Sequence, residues 1–235
     1  MTEDGRGAHP RRERYRLAMA APTPYGGFRS RWTRVGAVTV HERVRLPAVP
    51  GVPVVLVHGL SMSHRYSVPL ARALAEAHPV SAVDLPGFGL SGKPEIVLDV
   101  PALADALGAW LRLAGTPAPV LVGHSVGCQI VADLAARDPA VARAVVLIGP
   151  TMDPHARTAL RQALRWLRDV RHEDLLQLPV LARDVLAAGV GRTVGTFRHA
   201  LRDRIERKLP AVDMPALVVR GTRDRVVSAP WAAEA

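Results

Sequence analysis

The sequence is poor in three residue types: it has one cysteine, two lysines, and few aromatics, with three Phe, four Trp and three Tyr in 235 residues. Each scarcity excludes something. A lone Cys128 cannot close an internal disulfide, which agrees with a reducing, cytoplasmic setting and leaves a small buried hydrophobe as its ordinary role. With Lys93 and Lys208 the only lysines, the basic character is nearly all arginine, a bias expected of GC-rich coding sequence that needs no function. No apolar run approaches the roughly 18 residues of a membrane span, because Arg, Gly or Pro interrupts every candidate. The Arg11-Arg12 pair and the stretch from Leu17 to Ala21 are too short and too charged for a secretory leader.

Positive charge is in excess, at a net +10, and its location decides its meaning. Residues 1–34 hold eight arginines against three acids, and residues 152–213 hold twelve basic against eight acidic side chains, while the rest is close to neutral. These are two separate features, and neither interleaves aromatics as a single-strand-binding surface does. Nucleic acid is therefore not an expected partner. At 49% hydrophobic, the chain can fill one sizeable core, with room for a small inserted subdomain.

Periodicity orders the rest. Residues 1–34 mix Arg, Gly and Pro without apolar rhythm and are expected to be a basic, mobile extension. The β-branched stretch from Val35 to Leu46 predicts antiparallel strands at a sheet edge. Short apolar runs at Val52–Val57, Val80–Asp84, Val120–Gly123 and Ala144–Ile148 read as strands covered on both faces. Helical spacing separates them: Leu70, Leu74 and Ala77 in the first helix, Leu103, Leu107, Trp110 and Leu111 in the second, and Ile130, Val131 and Leu134 in the third. Asp99 is the expected cap of the second, with Pro101 in its first turn. Strands alternating with helices predict an α/β fold with a mostly parallel sheet and helices on both faces. Residues 152–213 break the rhythm as an Arg-rich helical insert, before Ala216–Arg220 returns to strand composition. The insert would leave the carboxyl edge of the sheet, where open α/β sheets bind ligands.

Gly123-His124-Ser125-Val126-Gly127 matches Gly-X-Ser-X-Gly and falls between an apolar strand and a helix, the context a nucleophile elbow requires. Glycines are needed where a sharp turn crowds the backbone, and the serine is held strained and exposed. A Gly-rich turn with a chance serine is the plainer alternative. An oxyanion needs two donors already in place; the Val126 N–H directly after the nucleophile supplies one. His58-Gly59-Leu60 ends the first parallel strand, and the Leu60 N–H is the candidate second donor, whereas the His58 side chain is better read as packed or hydrogen-bonded.

Val57-His58-Gly59, the run Asp84-Leu85-Pro86-Gly87-Phe88-Gly89-Leu90-Ser91 and the serine motif together resemble the α/β-hydrolase superfamily in order and spacing, from about residue 35 onward. The resemblance implies a core sheet at 35–151, a helical cap at 152–213, a core continued at 214–235, and a Ser, acid, His triad in that order. It assigns the Asp84 loop to structure, with Asp84 bonding backbone and Gly87 and Gly89 permitting the turn. In Gly221-Thr222-Arg223-Asp224-Arg225-Val226-Val227 it puts Asp224 in the acid position, with Asp153 as the alternative acid just past the sixth strand. A serine at the elbow separates this chain from the family's dehalogenases and epoxide hydrolases, which use an aspartate there.

The resemblance also implies a histidine after an eighth strand, yet none of the residues after Asp224 is a histidine. The expectation is therefore that the last strand and helix are missing, and that these 235 residues by themselves are nearly inert, since loss of that base costs a factor on the order of 10⁶ in kcat. His58, His64, His124, His155, His172 and His199 are each read as packed or solvated rather than as a substitute. Ser125 with Asp224 as catalytic pair, Leu60 and Val126 as oxyanion donors, and His58, Gly59, Gly123, His124 and Gly127 in support make up the expected site. The expected reaction is hydrolysis of a small ester or related carbonyl compound through an acyl-enzyme, with no cofactor and no metal. The alternative is a hydrolase-fold ligand-binding protein without turnover.

Overall fold

The structure is a computed structural model that describes residues 27–46, 51–169 and 178–235. Expectations about residues 1–26, which include Arg11 and Arg12, and about His172 lie outside the described residues.

Seven strands form one sheet in the order β1-β2-β4-β3-β5-β6-β7. The strands are Arg29–Val35 (β1), Val38–Arg45 (β2), Val54–Val57 (β3), Val80–Asp84 (β4), Val120–His124 (β5), Ala144–Ile148 (β6) and Ala216–Val219 (β7). β1 pairs with β2 and β2 with β4 antiparallel; every other neighbour pairs parallel. β3 and β4 are buried at every position, as the apolar runs predicted for strands covered on both faces.

Three helices connect the parallel strands: His64–Leu74 (α1), Val100–Ala114 (α2) and Val126–Arg137 (α3). The Asp99 carboxylate accepts the Ala102 N–H at 2.9 Å, capping α2, and Gly115 ends it in the left-handed conformation at φ 65°. Leu103, Leu107, Trp110 and Leu111 are buried along α2, against Ile130, Val131 and Leu134 of α3 in the same core. Between β6 and β7 the described residues are helical: a 3₁₀ turn at Pro154–Ala156, then Ala159–Asp169 (α4), Leu178–Ala188 (α5), Val190–Arg202 (α6) and Ile205–Lys208 (α7). A short helix, Ala229–Glu234 (α8), follows β7, capped by the Ser228 hydroxyl. No described helix is long and apolar enough to cross a membrane.

Two expectations are corrected. The basic extension was expected to reach residue 34, but Arg29–Val35 is β1. Composition hides this strand because its support comes from across the ladder. Arg31 pairs with Glu42 opposite it, Trp32 packs on His41 with rings 5.0 Å apart, and the Ser30 hydroxyl meets His41 Nε2 at 3.0 Å. On α1, Leu70 and Ala77 were expected to face inward with Leu74, yet Leu70 is 40% exposed and Ala77, past the helix end, is exposed; Ala71 and the capping Ala75 fill the buried face with Leu74 packed against them. The helix lies close over β3 and β4, where the small side chains are the ones that pack against the second core cluster.

Candidate active site

Ser125 joins β5 to α3 with φ 54° and ψ −118°, a conformation that L residues rarely hold. Its surroundings over-determine it. A Cβ on Gly123 would stand 2.7 Å from the Gly127 carbonyl oxygen, and one on Gly127 would stand 2.4 Å from that of Val57, so neither position admits a side chain. The Ser125 N–H donates to the Ile148 carbonyl at 2.9 Å, tying the bend to the end of β6, and the Cys128 N–H donates back to the Ser125 carbonyl at 3.0 Å. α3 then runs away from the serine, presenting the positive end of its dipole. Cys128 is buried beneath the bend with its thiol directed at the Gly123 and Ile148 carbonyls, and burial pushes its pKa well up.

The loop after β3 closes against this bend. A Cβ on Gly59 would lie 3.0 Å from that of Ser125, so glycine is what permits the approach. Val126 is the first residue of α3, and its N–H, like that of Leu60, donates to no other group among the described residues.

The supporting histidines are structural in their contacts. His58 is fully buried, with Nδ1 donating to the Gly59 carbonyl at 2.8 Å and Nε2 accepting the Leu85 N–H at 3.0 Å; burial lowers its pKa. His124 stacks on Tyr66, rings 5.1 Å apart, and its pKa is lowered to about 4, first by burial and then by repulsion from His58. His64 opens α1 rather than lying in a loop, and it bonds Asp84 through both its backbone N–H and its ring. His155 is exposed beside Asp153, and His199 lies on α6. Among the described residues no histidine is hydrogen-bonded to the Ser125 hydroxyl.

The two candidate acids differ in what they have left to offer. Asp224 Oδ1 accepts the N–H groups of Val226 and Val227 at 2.8 and 2.9 Å. Its Oδ2 has no partner among the described residues and would stand 3.6 Å from a Cβ on Gly149, the residue after Ile148 to which Ser125 is tied. The loop carrying it borders a cavity of about 450 Å³ lined by Arg220, Thr222, Arg223, Asp224 and Arg225. Asp153 is buried with both oxygens engaged, Oδ2 by Arg165 at 2.6 Å and Ser228 at 2.8 Å, Oδ1 by the His155 N–H at 2.8 Å. Burial works to raise its pKa, but the bonds from Arg165 and Ser228 outweigh it and hold the carboxyl below its ordinary range.

Asp84 bonds more than backbone. One carboxylate oxygen accepts from the rings of His41 and His64, each at 2.8 Å, and from the Leu90 N–H, and the other accepts the His64 N–H. These direct bonds make the three side chains, which are spaced closely enough to suggest a metal, a hydrogen-bonded core cluster. Burial raises the Asp84 pKa, yet the two imidazoles overcome it and drive it far down. Sequence reasoning missed this cluster and the partners of Asp153, because residues 43 or 75 positions apart give no local signal. Ser63 was within reach: a serine just before an apolar helical pattern is a cap signal, and its hydroxyl does accept the Arg65 N–H.

Comparison with known proteins accords with this geometry. A family model described as "alpha/beta hydrolase fold" matches residues 52–220. A 2-(acetamidomethylene)succinate hydrolase of Mesorhizobium japonicum is 32% identical over 197 residues, covering 84% of this chain and 68% of that protein. A pimeloyl-[acyl-carrier protein] methyl ester esterase of Xanthomonas campestris is 36% identical over 212 residues, covering 76% and 79%. Among solved structures, a bacterial membrane phospholipase A superposes with a TM-score of 0.72 at 25% identity, over 96% of this chain and 77% of that one.

Proposed function

The chain belongs to the α/β-hydrolase fold family, and from that premise we propose that it is a serine hydrolase that cleaves a small ester or related carbonyl compound through an acyl-enzyme on Ser125. One observation carries the reading. A serine is held at φ 54° where a parallel strand ends and a helix begins, with a glycine two residues to either side that has no room for a side chain, and it stays partly exposed. The two relatives are, by their names, a hydrolase of 2-(acetamidomethylene)succinate and an esterase of a methyl ester, which supports a hydrolytic reading.

In this proposal the Ser125 Oγ attacks the carbonyl carbon, and the oxygen that becomes negative is received by the uncommitted N–H groups of Val126 and Leu60. The leaving alcohol departs with the serine's proton, and water then releases the acid. Asp224 is the acid that orients the imidazole, because its Oδ2 remains unengaged among the described residues while Asp153 has both oxygens bonded. No histidine follows Asp224 in these residues, so the base is the component to be located. The helical segment between β6 and β7 is proposed as the cap that selects substrate, and no cofactor or metal enters the chemistry.

The test is labelling by a fluorophosphonate probe, with p-nitrophenyl butyrate hydrolysis alongside, on protein made from the full reading frame. Ser125→Ala should abolish both, and equal labelling of the two proteins would remove Ser125 from the mechanism. The alternative is a binding protein that holds a ligand without turnover, favoured by the lack of a described imidazole on the Ser125 hydroxyl. It predicts neither labelling nor hydrolysis in either protein, with ligand affinity unchanged in Ser125→Ala.

A further inference from the structure

The loop that carries the Leu60 amide, residues 59–63, is fastened from the helical segment that follows β6. Within the loop, the Met62 N–H reaches the Gly59 carbonyl at 3.3 Å, a weak closure, and Ser61 sits at φ 53°. Its two serines are held more firmly from outside. The Ser63 hydroxyl, fully buried, donates to Asp184 Oδ2 on α5 at 2.6 Å, and the Ser61 hydroxyl donates to Thr193 Oγ1 on α6 at 2.7 Å. Asp184 is 2% exposed, and its other oxygen accepts Arg65 Nη1 at 2.9 Å, just past the loop. A carboxylate taken so far out of water is costly unless charge and hydrogen bonds compensate it, and here a serine of this loop and an arginine of α1 supply the compensation. The Ser63 hydroxyl, oriented by Asp184, also accepts the Arg65 N–H that starts α1.

We propose that Asp184, assisted by Thr193, is a positioning residue for the oxyanion loop: it locks Ser63 so that the Leu60 amide stands beside the Val126 amide when the helical segment is seated. This rests on the reading of Ser125 as nucleophile and Leu60 as donor. Its consequence is that the segment proposed to select substrate also completes the oxyanion site, so that substrate fit and rate are linked through two side chains, Asp184 and Thr193, neither of which bonds Ser125.

A purely structural carboxylate and a positioning one differ in what they change. The comparison uses Asp184→Ala, Asp184→Asn, Ser63→Ala and Thr193→Val in the full-length protein. Active sites are counted by fluorophosphonate labelling, and kcat and KM for p-nitrophenyl butyrate are expressed per labelled site. The proposal expects Asp184→Ala to lower kcat per site by at least about tenfold with KM within about threefold, since a displaced donor loses part of what a deleted one does. Asp184→Asn, which still accepts from Ser63, should recover part of that loss, and Ser63→Ala should match Asp184→Ala. Unchanged kcat per labelled site in Asp184→Asn, Ser63→Ala and Thr193→Val overturns the proposal even if Asp184→Ala fails to fold. A Ser125→Ala control that retains hydrolysis overturns the underlying reading instead, whatever the Asp184 variants do.

Discussion

Two carboxylates lie near the end of the sheet, and their bonding partners divide their work. Asp153 is saturated by Arg165, Ser228 and the His155 N–H, so it joins the strand end to α4 and to the cap of α8. Asp224 uses one oxygen to hold its own loop and keeps the other unengaged among the described residues. If Asp224 is the acid, as proposed, Asp224→Asn in the full-length protein is expected to lower kcat by about 10⁴, as when a triad carboxylate becomes an amide and leaves the imidazole in the wrong tautomer. Asp153→Asn should leave kcat per active site within a few-fold but lower the urea midpoint, because the buried Arg165 contact loses its charge partner. Steady-state kinetics with site counting and urea unfolding separate the two; a kcat loss confined to Asp153→Asn would exchange their roles.

At the scale of elements, what could be read in advance is what repeats locally. β6 was legible to the residue because five β-branched or aliphatic side chains stand together, and α2 because cap, proline and inner face all agree. Asp99→Ala should thus cost about 1 kcal/mol in chemical denaturation, the ordinary value for a lost helix cap, with activity unaltered. The bend at Ser125 was legible for the same reason, its glycines and serine falling within five consecutive residues. β1 was not, since Arg29, Arg31 and Arg34 look like a solvated tail until Glu42 and His41 are placed opposite them. The inner face of α1 was misjudged because a heavy leucine counts more in a periodic pattern than the two alanines that the sheet accepts. The clamp of Ser63 on Asp184 spans 121 residues and carries no signature at either end.

For the molecule as a whole, acid is the expected weakness. His58, His64 and His124 all have lowered pKa values in the folded state, so they stay neutral there while the unfolded chain protonates them near its ordinary value of about 6.5. The unfolded state binds more protons in that range, and stability falls as pH drops below about 6.5. For His124 the loss continues to its folded value of about 4. Asp84, lowered in the fold, adds a second loss below about 4, where the unfolded carboxylate takes up its proton first. Urea midpoints measured from pH 7 to pH 4 should decline throughout, with a flat profile contradicting these assignments. The same interior offers a means of watching it. Cys128 is the sole thiol in the chain, wholly buried under the Ser125 bend. An aromatic disulfide reagent can reach it only in molecules whose central sheet has parted from α3, so the rate at which colour develops in native buffer should be a clock for that opening. Slowing of the clock by a bound ligand would measure, in one cuvette, how much the ligand steadies the core.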